Sequence, residues 1–545
     1  MTRVSELAHN VRFTASYVVH ALATDPAWLV LQASRRLPAR VSAVVVPGVE
    51  RLVGDGTGGA AGRLRAAWAA GDVTTVRDAA PRGRTGRRVR AALLGQVATL
   101  EPTGTDRPTS PDRSARRAAP SAPVAVHHHL TNSLPHTQSG YTLRSHAILT
   151  AQRAAGHRVT ATTRVGYPLT IGALGARRTD VVDGVGYARL VPRSLPADHA
   201  RRAEDGTALL AAELERHRPD VVHATTPWTT GAAARAAAER AGLPWVYEVR
   251  GLPEETWAAS HATAAAREAA TRSERYALVR AKETELALAA DHVVTLSATM
   301  RDELVGRGVP AGRITVVPNA VDSALLDATA PTPAEARAAL GLRTAPQVVG
   351  TVSSLVGYEG LDTILRTVAT LRDGGTDVSA LVVGDGVARP GLLRLAAELG
   401  IAEHVHLPGR VPRDVARTYL AALDVVLVPR RPDRVTGLVT PLKPVEAMAT
   451  GRPVVASDLP ALREVCSPLD GGAPAALLVP ADDQVAWVDA VGGLLGDAAR
   501  QEALVAAGRD VAAERTWSRL VARYDDAYAA ATGTPLTDEN RKDRR

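Results

Sequence analysis

The sequence predicts an α/β protein made of two Rossmann-like, doubly wound domains facing a cleft, preceded by a mainly helical N-terminal extension. Three observations predict it. From residue 123 almost to the end, short Val-rich runs alternate with Ala-rich helical stretches. That is the pattern of buried parallel strands joined by crossover helices. The alternation comes in two series, and 545 residues are too many for one core.

Taken in order, residues 1–101 hold apolar stretches and a basic cluster, "RGRTGRRVRAALL", and are expected to form a basic, partly helical extension. Residues 102–122, "PTGTDRPTSPDRSARRAAPSA", are rich in Pro, Ser, Thr and Arg without apolar periodicity, which reads as a flexible linker. The first series (123–313) opens with the strand "VAVHHHL", the loop "TNSLPHTQSGYTL" and a helix through "RSHAILTAQRAAGH". Strands "RVTATTR", "PDVVHATT", "LPWVYEVRG" and "DHVVTLS" follow. The second series (314–512) reads "RITVVPNAVD", "QVVGTVSSL", "VSALVVGDG", "HVHLPGR", "DVVLVPR", "RPVVASD" and "AALLVP". A last helix over 513–531 is expected to pack back on the N-terminal domain, and 532–545 to be a disordered tail.

Composition narrows the function classes. Up to residue 122 there are 18 Arg against 9 Asp and Glu, leaving 47 basic and 48 acidic residues in the remainder. The net charge of +8 therefore belongs to the N-terminal segment, which argues against a nucleic-acid-binding enzyme body. Cys466 is the single cysteine, so no intrachain disulfide forms and a reducing compartment fits. With no long apolar run and no signal-peptide pattern, a cytoplasmic location is expected. The basic segment adds the expectation of peripheral contact with an anionic membrane, at the inner membrane face.

The most informative stretch is "VTPLKPVEAMATGRPVVASD", 439–458. Lys282, Lys443 and Lys542 are the only lysines. Around Lys443 a short helix is predicted, with Pro444 in its first turn and Gly451 at a left-handed cap. A cation at a helix start has the wrong sign for the helix dipole, and becomes sensible if an anion binds there too.

The ordered set "ADHVVTLS", "ITVVPNAVD", "YEGLDTIL", "LVVGDG", "VHLPGRVP", "LDVVLVPRR" and "PLKPVEAMATGRPVVASD" resembles glycosyltransferase family 4, over roughly residues 123 to 531. The resemblance implies the GT-B fold and a retaining, metal-independent hexosyltransferase of the "PLKPVEAMA" subgroup. Its co-substrate would be a nucleotide-diphosphate sugar, with no separate cofactor. Its acceptor would be a glycan or lipid-linked hydroxyl, in cell-surface glycan, glycolipid or polysaccharide biosynthesis.

The resemblance also assigns residues. Glu446 would bind the ribose hydroxyls and Lys443 the diphosphate, where negative charge collects as the glycosidic bond breaks. Gly409, Arg410 and Val411 would meet the base. Gly437, Leu438, Val439 and Thr440, on a loop spanning Pro429 to Thr440, would pass the sugar and diphosphate, and Gly360 would offer a helix N-terminus to the phosphates. In the first domain Gly140 lies in the expected glycine-rich loop as a donor contact, Arg250 joins Lys443 as a catalytic candidate at the donor sugar or acceptor, and Glu254 and Tyr141 are candidates for acceptor or sugar. Arg434 reads either as an assistant at the donor or as a solvated loop residue.

Two departures stand out. Relatives often carry an arginine and a lysine where Ser354 and Glu359 stand here, and a glutamate where Leu438 stands, eight residues before Glu446. These departures keep open a catalytically silent GT-B scaffold or sugar-binding protein. A nucleotide-sugar epimerase is the other alternative. The run His127–His129 does not read as a metal site, since neighbours on a strand point to opposite faces, and no metal is expected.

Overall fold

The computed structural model describes residues 3–24, 59–104, 123–196, 198–327 and 330–533. The linker expected at 102–122 lies outside them from 105 onward, as do 25–58 of the N-terminal segment and 534–545 of the tail. The described residues form two compact units. One comprises Met1–Val294 with Gly308–Arg313 and Asp526–Arg545, the other Thr295–Arg307 with Ile314–Asp525.

The first sheet has eight strands: β1 (Ala125–Leu130), β2 (Arg158–Thr163), β3 (Thr179–Val182), β4 (Val185–Arg189), β5 (Val221–Thr225), β6 (Trp245–Val249), β7 (His292–Thr295) and β8 (Ile314–Val316). Their order is β3-β4-β2-β1-β5-β6-β7-β8. β1 pairs in parallel with β2 and β5, and β5 with β6. Only the hairpin β3–β4 is antiparallel among the described pairs, turning through Asp183 and Gly184. The second compact unit resumes at Ile314, where the second series was expected to begin, but the strand in "RITVV" hydrogen-bonds at the edge of the first sheet as β8, and Val317 N donates to Thr295 O at 2.7 Å just past its end.

The described N-terminal helices are built into the first unit. On the helix Arg3–Thr24, Phe13 is fully buried against Leu169, Ala176 and Leu195, and Asn10 Nδ2 donates to Leu174 O and Ala176 O at 2.9 Å. Leu64, Val76, Val89 and Leu93 form a small core of their own. Arg275 lies 4.6 Å from the ring centres of both Trp68 and Trp257, a cation held between two aromatic faces. Lys282 is explained too: its ammonium donates to Glu101 O at 3.0 Å and bonds Glu285 Oε2 at 3.1 Å.

The second sheet has six strands: β9 (Gln347–Val352), β10 (Val378–Val383), β11 (Val405–Gly409), β12 (Val425–Val428), β13 (Val454–Ser457) and β14 (Leu477–Val479). The order β11-β10-β9-β12-β13-β14 reverses direction between β9 and β12. All its pairs are parallel. Successive residues fall on opposite faces, as the strand repeat requires. Val348, Leu381, Val426 and Val454 enter one buried cluster, and Val349, Ala380, Val425 and Val455 the other. Both faces are therefore covered by helices, which is why these strands read as unbroken apolar runs.

Candidate nucleotide-sugar site

In an open parallel sheet, ligands bind beyond the carboxyl ends of the strands where strand order reverses. In the second unit that point lies past β9 and β12. Three cationic or acidic side chains meet there. Glu359 sits in a 3₁₀ turn after β9, Arg430 two residues past β12, and Lys443 at the start of the helix Lys443–Ala449. Arg430 donates to Glu359 from Nη2 (3.1 Å) and Nε (3.4 Å), and from Nη1 to Val439 O at 2.8 Å. Lys443 Nζ donates to Glu359 Oε2 and, at 2.7 Å, to Ser353 Oγ.

The electrostatics follow from this geometry. Burial would raise the Glu359 pKa, but Arg430 and Lys443 bring it down to about 2. Burial lowers the Lys443 pKa, Glu359 counters part of that, and Arg430 adds to the lowering. Glu446, one turn along, is different. Burial raises its pKa, offset by Arg413, Arg417 and Lys443, and its carboxylate makes no hydrogen bond among the described residues. It is an acid with its acceptor capacity unspent.

The helix begins as the sequence predicts, with Pro444 in the first turn and Gly451 left-handed just past its end. The stretch before it needs correction. Pro429 to Thr440 was expected as a loop, yet Arg434–Leu438 is a short helix, with Thr436 N and Gly437 N donating to Asp433 O at 3.1 Å. Gly437 and Leu438 lie on it, and Val439 and Thr440 follow it. Thr440 O accepts from Asn319 Nδ2 at 2.9 Å, while Thr440 Oγ1 is buried without a hydrogen-bond partner. Arg434 is not simply solvated, since it pairs with Glu303 at 2.7 Å.

Gly360 has φ +63°, and a Cβ there would lie 1.9 Å from Pro429 O, so this turn packs directly on the end of β12. The following helix, Asp362–Asp373, starts two residues later, with Asp362 paired to Arg431 at 3.0 Å. Gly409 ends β11 and accepts from Gly384 N at 3.0 Å; Arg410 is exposed and Val411 packs partly on the core. Ser354 is exposed, and it is the neighbouring Ser353 that accepts a hydrogen bond from Lys443.

In the first unit Gly140 is not in a loop. It opens the helix Gly140–Ala154, capped by Ser139, which the stretch "SGYT" could have signalled. Tyr141 is half exposed; its hydroxyl donates to Arg250 O and its carbonyl accepts from Arg250 Nη1, both at 3.2 Å. The Arg250 guanidinium is buried and donates to Glu248 Oε2 and Ser145 Oγ, each at 2.6 Å. Glu248 also receives Arg144 (2.9 Å) and His223 (3.1 Å). Burial would raise the Glu248 pKa, but Arg250, Arg144 and His223 hold it well below the usual carboxylate range. Glu254 is fully buried in the first turn of Pro253–Ala259.

His127–His129 are buried in β1 and bonded to Thr160, Thr162 and Gln152. Among the described residues no group of three or more His, Cys, Asp or Glu side chains is arranged to hold a metal ion. Sequence reasoning missed Ser353, Arg430, Arg413 and Arg417 beside Lys443 and Glu446, and Arg144, Glu248 and His223 beside Arg250.

Two family models match the chain. One, described as a glycosyl transferase 4-like domain, covers residues 139–320, and the other, glycosyl transferases group 1, covers 346–497. Together they span more than half of the sequence. The chain belongs to glycosyltransferase family 4. Among curated relatives, a D-inositol 3-phosphate glycosyltransferase of Xylanimonas cellulosilytica is 30% identical over 338 residues, 59% of this chain and 75% of the relative. The protein of the same name from Stackebrandtia nassauensis is 32% identical over 335 residues, covering 58% and 70%. That of Nocardia farcinica is 34% identical over 258 residues, and there the matched stretch spans about half the relative's length, 54%.

Solved structures share the fold at low identity. Sucrose-phosphate synthase from Thermosynechococcus elongatus matches with a TM-score of 0.57 and 20% identity, covering 74% of this chain and 98% of that one. Anabaena Alr3699/HepE, solved in complex with UDP, matches with 0.53 and 16%, covering 74% and 100%. This family 4 chain therefore has the GT-B fold, with two parallel-sheet α/β units.

Proposed function

We propose that this glycosyltransferase transfers a hexose from a nucleotide-diphosphate sugar to an acceptor hydroxyl with retention of configuration and without a metal ion. The observation that carries the reading is the pairing of Lys443 and Glu446 one turn apart, beyond the strand-order reversal of the second sheet. Glu446 has two free acceptor oxygens for the ribose hydroxyls, and Lys443 is a cation for the diphosphate. Gly409, Arg410 and Val411 would line the base, Gly360 the phosphates, and Gly437 to Thr440 the sugar. Negative charge grows on the phosphate as the glycosidic bond breaks, so a fixed ammonium there stabilises the transition state more than the ground state. The departing phosphate takes the acceptor proton, and no protein carboxylate acts as nucleophile. In the first unit Tyr141, Glu254 and Arg250 are the candidates for acceptor or sugar, with Gly140 at the helix start. Arg250 is bound to Glu248, so its role is to fix that surface or to exchange partners with an incoming anion.

Incubation with UDP-, GDP- and ADP-sugars, with and without inositol 3-phosphate (the acceptor the relatives are named for), tests the reading. Proton NMR of the product should show the anomeric configuration of the donor. Product formed without any acceptor would mean an epimerase. No turnover with any acceptor offered, beside intact nucleotide binding, would favour a silent scaffold.

The cytoplasmic, membrane-peripheral location belongs to the same proposal. No described helix is long and apolar enough to cross a membrane. The helix Arg3–Thr24 exposes Val4, Leu7, Val11 and Val19 along one side, and Arg82, Arg84, Arg87 and Arg88 are exposed around the start of the helix Arg84–Leu100, which packs beside it. Apolar and cationic groups together suit an anionic bilayer surface.

A further inference from the structure

Glu359 is buried at 6% exposure, yet it accepts from two cations of the donor region at once. The two grips are unequal. Arg430 is 8% exposed, is anchored by Val439 O, and offers a two-point contact of the guanidinium–carboxylate kind. Lys443 is 19% exposed, sits on a long rotatable stem, and has Ser353 Oγ as its second partner. A ligand anion that takes Lys443 leaves Glu359 still paired to Arg430, so exchange at the ammonium does not strand a buried charge.

We propose that Glu359 is a built-in competitor for Lys443, a carboxylate that the donor diphosphate must displace and that returns to the ammonium to expel the nucleoside diphosphate product. This rests on the reading of Lys443 as the diphosphate cation. A fixed negative charge beside an anion site penalises ligands in proportion to their charge. A free nucleoside diphosphate carries one more negative charge than its sugar ester. Glu359 therefore weakens the product more than the donor, and penalises nucleoside triphosphates most. It is a positioning and specificity residue and touches no reacting atom.

The test is calorimetric titration of UDP, GDP, ADP and inorganic pyrophosphate into wild type, Glu359→Gln, Lys443→Ala and the double variant, with circular dichroism to compare folding. Glu359→Gln should tighten the diphosphates about tenfold, and should tighten product inhibition more than it lowers KM for the sugar donor. The gain should vanish in the double variant. Glu359→Asp, which keeps the charge but is too short to span both cations, should give a smaller gain in the same direction and covers the case where the Gln variant misfolds. If Lys443→Ala weakens binding while neither Glu359 variant tightens it, the competitor role is wrong and the donor site stands. If Lys443→Ala leaves binding unchanged, the donor-site reading fails and this inference falls with it.

Discussion

Tyr528, on the last helix, holds its hydroxyl 2.9 Å from Nδ1 of His223 on β5. Gln152 Nε2 donates to the same oxygen at 2.7 Å, and His223 Nε2 continues to Glu248. A buried polar chain thus ties the C-terminal residues of the first unit to its central strands β5 and β6.

Tyr528→Phe removes the shared oxygen and leaves Gln152 and His223 each short of a partner. The expected cost is about 1–3 kcal/mol, read by urea unfolding followed through the first unit's aromatic residues. An unchanged midpoint would mean the chain adds nothing to stability.

Glu248→Gln keeps the shape but removes the carboxylate charge that the buried Arg144 and Arg250 share. A loss of about 3–5 kcal/mol is expected from breaking a buried ionic network on one side. Because the Glu248 pKa is depressed, its contribution is present at neutral pH and fades only as pH falls below the ordinary carboxylate range. The variant should therefore flatten the acid limb of the stability curve as well as lower it.

Buried histidines give a second pH dependence. Burial, helped by His129 and His217, brings His127 down to about 3; burial brings His129 to about 4, and, with nearby cations, His199 and His292 to about 4. In the unfolded chain each takes a proton near its ordinary 6.5. Their contribution is complete above that value and is lost as pH falls toward 4. Unfolding free energy measured from pH 7.5 to 4.5 should begin to drop near 6.5, and a flat profile would show these rings to be accessible.

Gly360→Ala forces a side chain into a left-handed backbone position and against Pro429 O. The conformation alone costs about 1–3 kcal/mol, and the clash must also move the end of β12. Nucleotide affinity should fall along with the second unit's stability.

Liposome co-sedimentation addresses the N-terminal helices. Val4→Ser with Leu7→Ser and Val11→Ser should reduce binding to anionic vesicles while leaving the buried Phe13 face intact. Charge reversal at Arg84, Arg87 and Arg88 should do so more strongly at low salt. Equal binding by all forms would show that these residues make no membrane contact.

The two sheets were legible because parallel strands covered on both faces leave continuous Val-rich runs, as in "DVVLVP" and "RPVVAS". The Lys443 helix was legible because Pro444 and Gly451 mark its ends chemically. The partners of its charge were not. Glu359 reads as an acid near a glycine turn, and nothing in its spacing reveals that Arg430, 71 residues later, reaches it from another strand end. The sheet that β8 joins was not legible for a related reason, since a three-residue strand joins whichever edge its hydrogen bonds reach. Arg250 was picked from its place at a strand end, whereas its buried tie to Glu248 depends on Arg144 and His223 from two other elements.

The most direct measurement is the binding of a nucleoside diphosphate and its 2′,3′-dideoxyribose analogue to wild type, Glu446→Ala and Lys443→Ala, using whichever of UDP, GDP and ADP binds. Wild type should lose affinity for the dideoxy analogue, Glu446→Ala should bind both ligands equally and weakly, and Lys443→Ala should weaken both while keeping their ratio. A Glu446→Ala variant that still distinguishes ribose from dideoxyribose as wild type does would contradict the donor site placed on this helix.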